Sequence, residues 1–365
     1  MVRFQVADVP KVQPEVTEYQ QYSIVCPDPE CQTETVEPLP PEAEAGVFGP
    51  RAVATVGLLT GAYRLSKRMA QKAMKDLFGF DMSLGSVAAC EQMVSNSIEA
   101  PVEEAQAFIR TQPIKNADET SWYHGIKRAK AYLWVACTPW VVVFLVQTSR
   151  SAEAARQLLG KVFGVLVTDR YKGYDWWPLE QRQLCWAHLK RDIQAMIDAG
   201  RGAKRIGRAL EKLRRKLFTW WHRARDGTMT RYELQARVAV LRRQVHRLLD
   251  YGTCCGHKPT EGTCRDLLRL EPAMWTFVHR EGVEPTNNFG ERSIRHAVLW
   301  RKISFGTHSD AGARYVERVL TVHATLRLQT RNVLDYLMES VTAAIHGAAP
   351  PSLLPAEMST MTTLP

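Results

Sequence analysis

Between residues 112 and 190 the hydrophobic period of this chain switches from helical to strand-like, and the order of elements that follows leaves few folds open. Pro113–Thr120 reads as an extended run. Ala131–Cys137 alternates, with Tyr132, Trp134 and Ala136 on one side, as a half-buried strand does. Trp140–Val146 is an unbroken apolar run, the signature of a strand covered on both faces. Ser151–Leu159 fits an amphipathic helix with a serine cap. Gly164–Thr168 fits a further buried strand and Gln183–Ala187 a last one. The series is strand-strand-strand-helix-strand, with a fifth strand to close the sheet.

This is the order of a ribonuclease-H-like core, an α/β fold built on a mixed five-stranded sheet with helices. It sets Asp118 on the first strand and Asp169 at the end of the fourth. A third acid, Glu291, lies where Pro-Thr-Asn-Asn-Phe-Gly-Glu-Arg opens a helix. Two strand-end aspartates and a helix-borne glutamate can hold two divalent cations about 3.5–4 Å apart, the arrangement used for in-line phosphoryl transfer. Each acid also has a plainer reading. The aspartates could simply make turns. Asn288 and Glu291 have the spacing of a capping box, and Arg295 stands one turn from Glu291 for an ion pair. Glu119 competes with Asp118, but strand alternation sends its side chain to the other face.

Charge is distributed very unevenly. The formal net charge is +10, yet residues 1–45 carry 2 Lys/Arg against 9 Asp/Glu, and residues 190–248 carry 17 Lys/Arg against 5 Asp/Glu. A basic block of this density suits phosphate neutralisation, or else a solvated helix face. Its apolar residues form two seams, Ile206, Leu210, Leu213, Leu217 and Trp220, then Leu234, Val238, Leu241, Val245 and Leu248. The turn between them falls near Asp226-Gly227, so an antiparallel helical hairpin with basic outer faces is expected. The longest apolar run has 7 residues, far short of a membrane span. With a polar, proline-containing start, the expectation is a cytoplasmic chain without leader or membrane contact.

The eight cysteines show no disulfide framework. Cys26 and Cys31 have a spacing compatible with half of a zinc site. Cys254, Cys255, His257 and Cys264 lie close enough in sequence to bind zinc, though incidental thiols are the simpler reading. Cys185 and His188, three apart, are a weak metal pair and the His reads more simply as packed.

Several of these segments resemble one family. Asp-Glu-Thr at 118–120, Val-Thr-Asp-Arg-Tyr at 167–171, Cys-Trp-Ala-His-Leu-Lys-Arg-Asp at 185–192, Thr-Asn-Asn-Phe-Gly-Glu-Arg-Ser-Ile-Arg at 286–295 and Arg-Lys-Ile-Ser-Phe-Gly at 301–306 look like the transposases of the insertion sequence 66 family. The resemblance runs in order from about residue 46 to 340. It implies a ribonuclease-H-like core of the Asp-Asp-Glu type with a helical insertion before the glutamate. It also implies that Asp118, Asp169 and Glu291 bind two Mg²⁺ or Mn²⁺ ions, cut the ends of an element and join the 3′-hydroxyl to target DNA. Cys185, His188 and Asn288 would support that site. The family usually has a leucine zipper and a fuller cysteine-rich finger upstream; here only Cys26 and Cys31 remain.

The expected partners are double-stranded DNA (element inverted repeats and target), further copies of the chain in at least a dimer, and accessory proteins of the element. Arg214, Arg215, Lys216, Trp220, Trp221, Arg292, Arg295, Arg301 and Lys302 are the candidates to hold DNA. A retired transposase that only binds DNA and a metal-dependent nuclease without strand transfer are the alternatives. The expected organisation is an acidic, proline-rich arm over 1–49, a helical and possible helix-turn-helix unit over 50–111, and core residues 112–199. A basic insertion over 200–283, core helices over 284–346 and a disordered tail over 347–365 complete it.

Overall fold

The computed structural model describes residues 3–127, 129–304 and 306–355. Contacts divide the chain into two compact units, one of Met1–Ala105, Gly125–Arg128 and Lys302–Pro365, the other of Gln106–His124 and Ala129–Arg301.

The first unit begins with an exposed stretch and a small antiparallel hairpin, β1 (Ser23–Val25) with β2 (Glu34–Val36), followed by a short helix α1 (Pro41–Glu44). Helix α2 (Pro50–Gly57) runs into a π-turn. Helix α3 (Lys67–Phe78) starts where Ser66 accepts from the Met69 N–H and stops at Gly79, whose φ of 71° suits a residue without Cβ. Ser83 caps α4 (Leu84–Ser97) in the same way, and α5 (Glu99–Arg110) follows.

In the second unit, β3 (Ile114–His124), β4 (Ala129–Cys137) and β5 (Val142–Gln147) form an antiparallel meander. The chain then passes through α6 (Ala152–Leu159) to β6 (Val165–Thr168), parallel to β3, and on to β7 (Arg182–Leu184), parallel to β6. The strand order β5-β4-β3-β6-β7 is that of a ribonuclease-H-like sheet. Every residue of β6 is buried, which is why this strand reads as continuously apolar rather than alternating. The last strand is shorter than Gln183–Ala187, because Trp186 already begins α7 (Trp186–Asp198).

The basic block folds as predicted into two long helices, α8 (Arg201–Arg225) and α9 (Arg231–Gly252). Their turn uses Gly227 at φ 75°, and Thr230 with Glu233 closes a capping box at the start of α9. The α9 seam ends on the buried Leu249 rather than the half-buried Leu248. Helices α10 (Lys258–Arg269), α11 (Thr276–His279) and α12 (Asn288–Ile303) complete the unit. One hydrophobic cluster joins Val167 of β6 and Trp186 of α7 to Leu210, Trp221, Leu241, Trp275 and Phe277. The insertion therefore shares the sheet's core, with Trp186 and Trp275 edge to face at 5.3 Å.

The end of the chain departs from expectation. Helices α13 (Asp310–Leu328) and α14 (Val333–Ile345) belong to the first unit, not to the sheet's unit. Tyr315 on α13 is buried there, its hydroxyl 2.6 Å from Thr60 Oγ1 and 3.1 Å from the Gly57 carbonyl it donates to. Residues 347–355 are not a free tail. Leu353 is fully buried, its carbonyl accepts from Gln329, and the Pro351 carbonyl accepts from Tyr336. One apolar anchor outweighs the Pro/Ala-rich composition that suggested disorder; residues 356–365 of that expectation lie outside the described residues. Among the described residues no helix is long and apolar enough to cross a membrane.

Candidate active site

Strand register brings the two aspartates side by side. β3 and β6 pair in parallel with Asn116 opposite Val167. Two residues further on, Asp118 comes level with Asp169, on strands that run about 4.8 Å apart. Asn116 and Asp118 share one face of β3 while Ala117 and Glu119 take the other. Glu119 is engaged on that second face, accepting from Arg150 Nε at 2.9 Å and from Tyr174 Oη at 2.6 Å.

Asp169 is held by its backbone as much as by its side chain. Its Oδ1 accepts from the Tyr171 N–H at 2.9 Å, and its carbonyl accepts from Arg182 Nη2 at 3.0 Å. Arg182 is fully buried and also bonds Thr168, Asp175 and the Tyr171 carbonyl. Sequence reasoning passed over Arg182, since nothing marks an arginine that opens a strand as a buried brace.

Burial, followed by the charges of Glu119, Asp169 and Glu291, pushes the Asp118 carboxyl up to about 7. The charge of Glu291 is the smallest of these contributions, and its carboxylate does not close with the two aspartates into one compact set of three ligands. The unfolded carboxyl titrates near 3.8. Between that value and about 7 the folded chain holds the proton and the unfolded chain does not, so metal-free stability falls as pH rises through this window. The melting temperature should drop between pH 5 and pH 8 in the metal-free protein, and Asp118→Asn should lessen the drop. An identical slope in the variant would place the titration elsewhere.

Glu291 stands in the first turn of α12, where its backbone N–H bonds the Asn287 carbonyl at 3.0 Å. The helix starts at Asn288, so the flanking cap position belongs to Asn287 and not to Asn288, which is exposed. Glu291 Oε1 lies 3.3 Å from His188 Nδ1 and 3.8 Å from Cys185 Sγ, and Oε2 lies 3.7 Å from Arg191 Nη2. Its recorded ionic neighbours are thus on α7, where Arg295 had been the expected partner. Cys185, His188 and Glu291 form a cluster able to hold a metal ion, the one set of three such ligands among the described residues. Cys26 and Cys31, at the tip of the β1–β2 hairpin, gain no third ligand among those residues, and no three of Cys254, Cys255, His257 and Cys264 come together as one ligand set.

Asn287 joins the parts of the site. It is completely buried. Its Oδ1 accepts from Asn116 Nδ2 at 2.8 Å, its Nδ2 donates to the Ala117 carbonyl at 2.9 Å, and its backbone N–H donates to Cys185 Sγ at 3.1 Å. Gly290 leaves room for it, since a Cβ there would stand 2.7 Å from Asn287 Oδ1. Asn287→Ala and Gly290→Ala should each cost about 1–3 kcal/mol of stability and about 10–100-fold in activity or metal affinity. Urea unfolding and metal titration check both; unchanged metal affinity in a folded Asn287→Ala protein would remove its positioning role.

The candidate DNA contacts divide into available and committed side chains. Arg292, Arg295, Lys302, Arg215 and Lys216 are exposed. Arg214 and Arg215 both pair with Glu211, at 2.7 and 2.8 Å, and Arg214 is mostly covered. Arg301 ties α12 to β3 through Thr120 Oγ1 at 2.9 Å and through Ser121. Trp220 lies between Lys216 and Arg237, both over its ring. Trp221 is buried against Phe277 at 5.2 Å, so the proposed stacking wedge is a core residue. Its place on the inner seam of α8 explains the error. Between the hairpin helices lies a groove of about 490 Å³ lined by Lys212, Lys216, Gln244 and Arg247.

The sequence model of the transposase IS66 family matches residues 45–315, which run from before α2 through the five-stranded sheet, the insertion and α12 into the start of α13. The chain belongs to that family. Membership classes it with the Asp-Asp-Glu transposases. An uncharacterized protein of Sinorhizobium fredii, y4qI, is 25% identical over 249 residues, covering 60% of this chain and 45% of the relative's own length.

Proposed function

We propose that this chain cuts the ends of an insertion sequence and joins the freed 3′-hydroxyl to target DNA, with Asp118, Asp169 and Glu291 as the metal-binding acids. The observation that carries this reading is the parallel register that levels Asp118 with Asp169 beside a glutamate whose charge Asp118 feels. An all-oxygen donor set of this kind fits Mg²⁺ or Mn²⁺. A carboxyl pushed up by burial and by neighbouring negative charge is also one that a cation relieves. When bound, the two ions supply Lewis-acid stabilisation and an activated water or hydroxyl. In the first step water displaces the 3′ oxygen of a phosphodiester; in the second, that 3′-hydroxyl displaces the 3′ oxygen of a target phosphodiester.

The chain's own groups do the rest. Arg182 and the Tyr171 N–H fix Asp169, while Asn287 fixes α12 against β3. Arg292 and Arg295, exposed beside Glu291, and the lysines and arginines of the hairpin groove hold phosphates. Helices α3 and α4 are the candidate end readers, two ends require at least a dimer, and accessory proteins of the element would assist.

A labelled duplex carrying the element's inverted repeat, incubated with Mg²⁺ or Mn²⁺, tests this. Joined products support a transposase, cut products alone a nuclease, and bound but uncut DNA a retired binder. Reversing Arg215 and Lys216 to Glu should weaken DNA binding and flatten the dependence of log affinity on log salt by up to about two units. An unchanged slope would remove the hairpin from the binding surface.

A further inference from the structure

The carboxylate pair uses hard oxygen donors, but Glu291 also faces two softer ligands that this chemistry leaves idle. Cys185 flanks the start of α7 and His188 is three residues on, so one helix start presents both. Ligand spacing is the first argument. A tetrahedral zinc ion with the usual Zn–S, Zn–N and Zn–O lengths sets a sulfur and an oxygen about 3.5 Å apart and a nitrogen and an oxygen about 3.3 Å apart. Here Cys185 Sγ lies 3.8 Å and His188 Nδ1 lies 3.3 Å from Glu291 Oε1.

The second argument is independent of spacing. His188 Nδ1 is buried yet has no hydrogen-bond partner, because its approach to Glu291 lacks hydrogen-bond geometry. A buried ring nitrogen in that state is costly unless something else takes its lone pair or proton. The third is the setting of the sulfur. It accepts the Asn287 N–H at 3.1 Å at the start of α7, so a polar donor already faces the sulfur, while burial pushes its thiol up. Against a cation stands Arg191, 3.7 Å from the other oxygen of Glu291 and 3.5 Å from His188 Nε2. With its side chain 68% exposed it can move away.

We propose that Cys185, His188 and Glu291 form a second metal site, selective for a thiophilic transition ion of the zinc class, that competes with the aspartates for Glu291. Binding displaces the thiol proton of Cys185 to solvent and leaves sulfur, nitrogen and carboxylate oxygen on the ion. Sulfur and imidazole nitrogen select against Mg²⁺. The competition rests on the reading of Glu291 as a catalytic acid, whereas the site itself does not.

Cobalt titration of the full chain without DNA tests it. The background is Cys26, Cys31, Cys254 and Cys255 all changed to Ser, which removes the thiols outside the buried core. One equivalent of Co²⁺ should give a thiolate-to-cobalt charge-transfer band and the visible bands of a tetrahedral ion, and Zn²⁺ should erase both. Cys185→Ser should lose the charge-transfer band; His188→Ala and Glu291→Gln, which spare the buried sulfur, should weaken Co²⁺ binding about 10–100-fold. A double Asp118→Asn, Asp169→Asn protein should keep the bands, so the result stands apart from the transposition assay. No thiolate band in the background protein, or a band that survives in a folded Cys185→Ser protein, overturns the proposal.

Discussion

Changing Asp169 to Ala should lower strand cutting and joining by on the order of 10³-fold or more while leaving the fold intact. The size follows from what a metal-binding acid contributes to phosphoryl transfer, several kcal/mol of transition-state stabilisation at 1.36 kcal/mol per decade. The fold should survive because Asp169 sits past the end of β6, where it makes one side-chain bond, to the Tyr171 N–H. Removing its charge also relieves Asp118, whose carboxyl is pushed up in part by Asp169. The metal-free variant should thus melt no lower than wild type above pH 7, and DNA binding should be unchanged or slightly stronger. Product formation in Mg²⁺ at a rate within tenfold of wild type would exclude Asp169 from the chemistry. A loss of DNA binding together with activity would instead point to misfolding.

Arg182→Leu should have the largest effect on stability of any substitution near the site, about 3–5 kcal/mol. The guanidinium is wholly buried, with Nη1 on Asp175 at 3.0 Å, Nε on Thr168 Oγ1 at 3.1 Å and Nη2 on the carbonyls of Asp169 and Tyr171. Burial pulls its pKa down, and Asp175 leads the groups that oppose this. A leucine of similar bulk fills the space but leaves Asp175 without that partner, and takes one of two donors from each carbonyl, which keep Thr168 Oγ1 and the Tyr174 N–H. Because those carbonyls fix the loop that carries Asp169, metal affinity should fall as well. Urea unfolding measures the first effect and Mn²⁺ titration the second. A variant within 1 kcal/mol of wild type in urea would mean that water replaces the arginine.

The sheet was legible from sequence because its strands lie in the unit's interior, where burial writes itself as runs such as Val-Leu-Val-Thr at 165–168. The hairpin was legible for the analogous helical reason, two apolar seams with a Gly turn. The order of elements set Asp118 on the first strand and Asp169 at the end of the fourth, whereas the register that levels them, Asn116 opposite Val167, comes from the structure. What could not be read is what depends on contacts between distant residues. Asn287 and Asn288 are identical neighbours, and only the packing of α12 on β3 decides which is buried. Trp220 and Trp221 are likewise adjacent, and a shift of one residue on a helix turns a surface ring into a core ring. Arg191 could have been suspected, since it follows His188 by one turn on the same face of α7. The docking of Leu353 had no periodic signal at all.

The order of the acids along the chain has a consequence for synthesis. Asp118 and Asp169 are translated before the insertion, whereas Asn287 and Glu291 follow it. The ribosome must therefore complete α8 and α9, whose side chains also fill the core beneath β6, before the third acid exists. A nascent chain, or the product of a gene copy interrupted within the insertion, carries both aspartates on a half-supported sheet and no glutamate. Such a fragment lacks the complete acid set. On the function proposed above, an interrupted copy of the gene would therefore yield an inert chain rather than an unregulated nuclease.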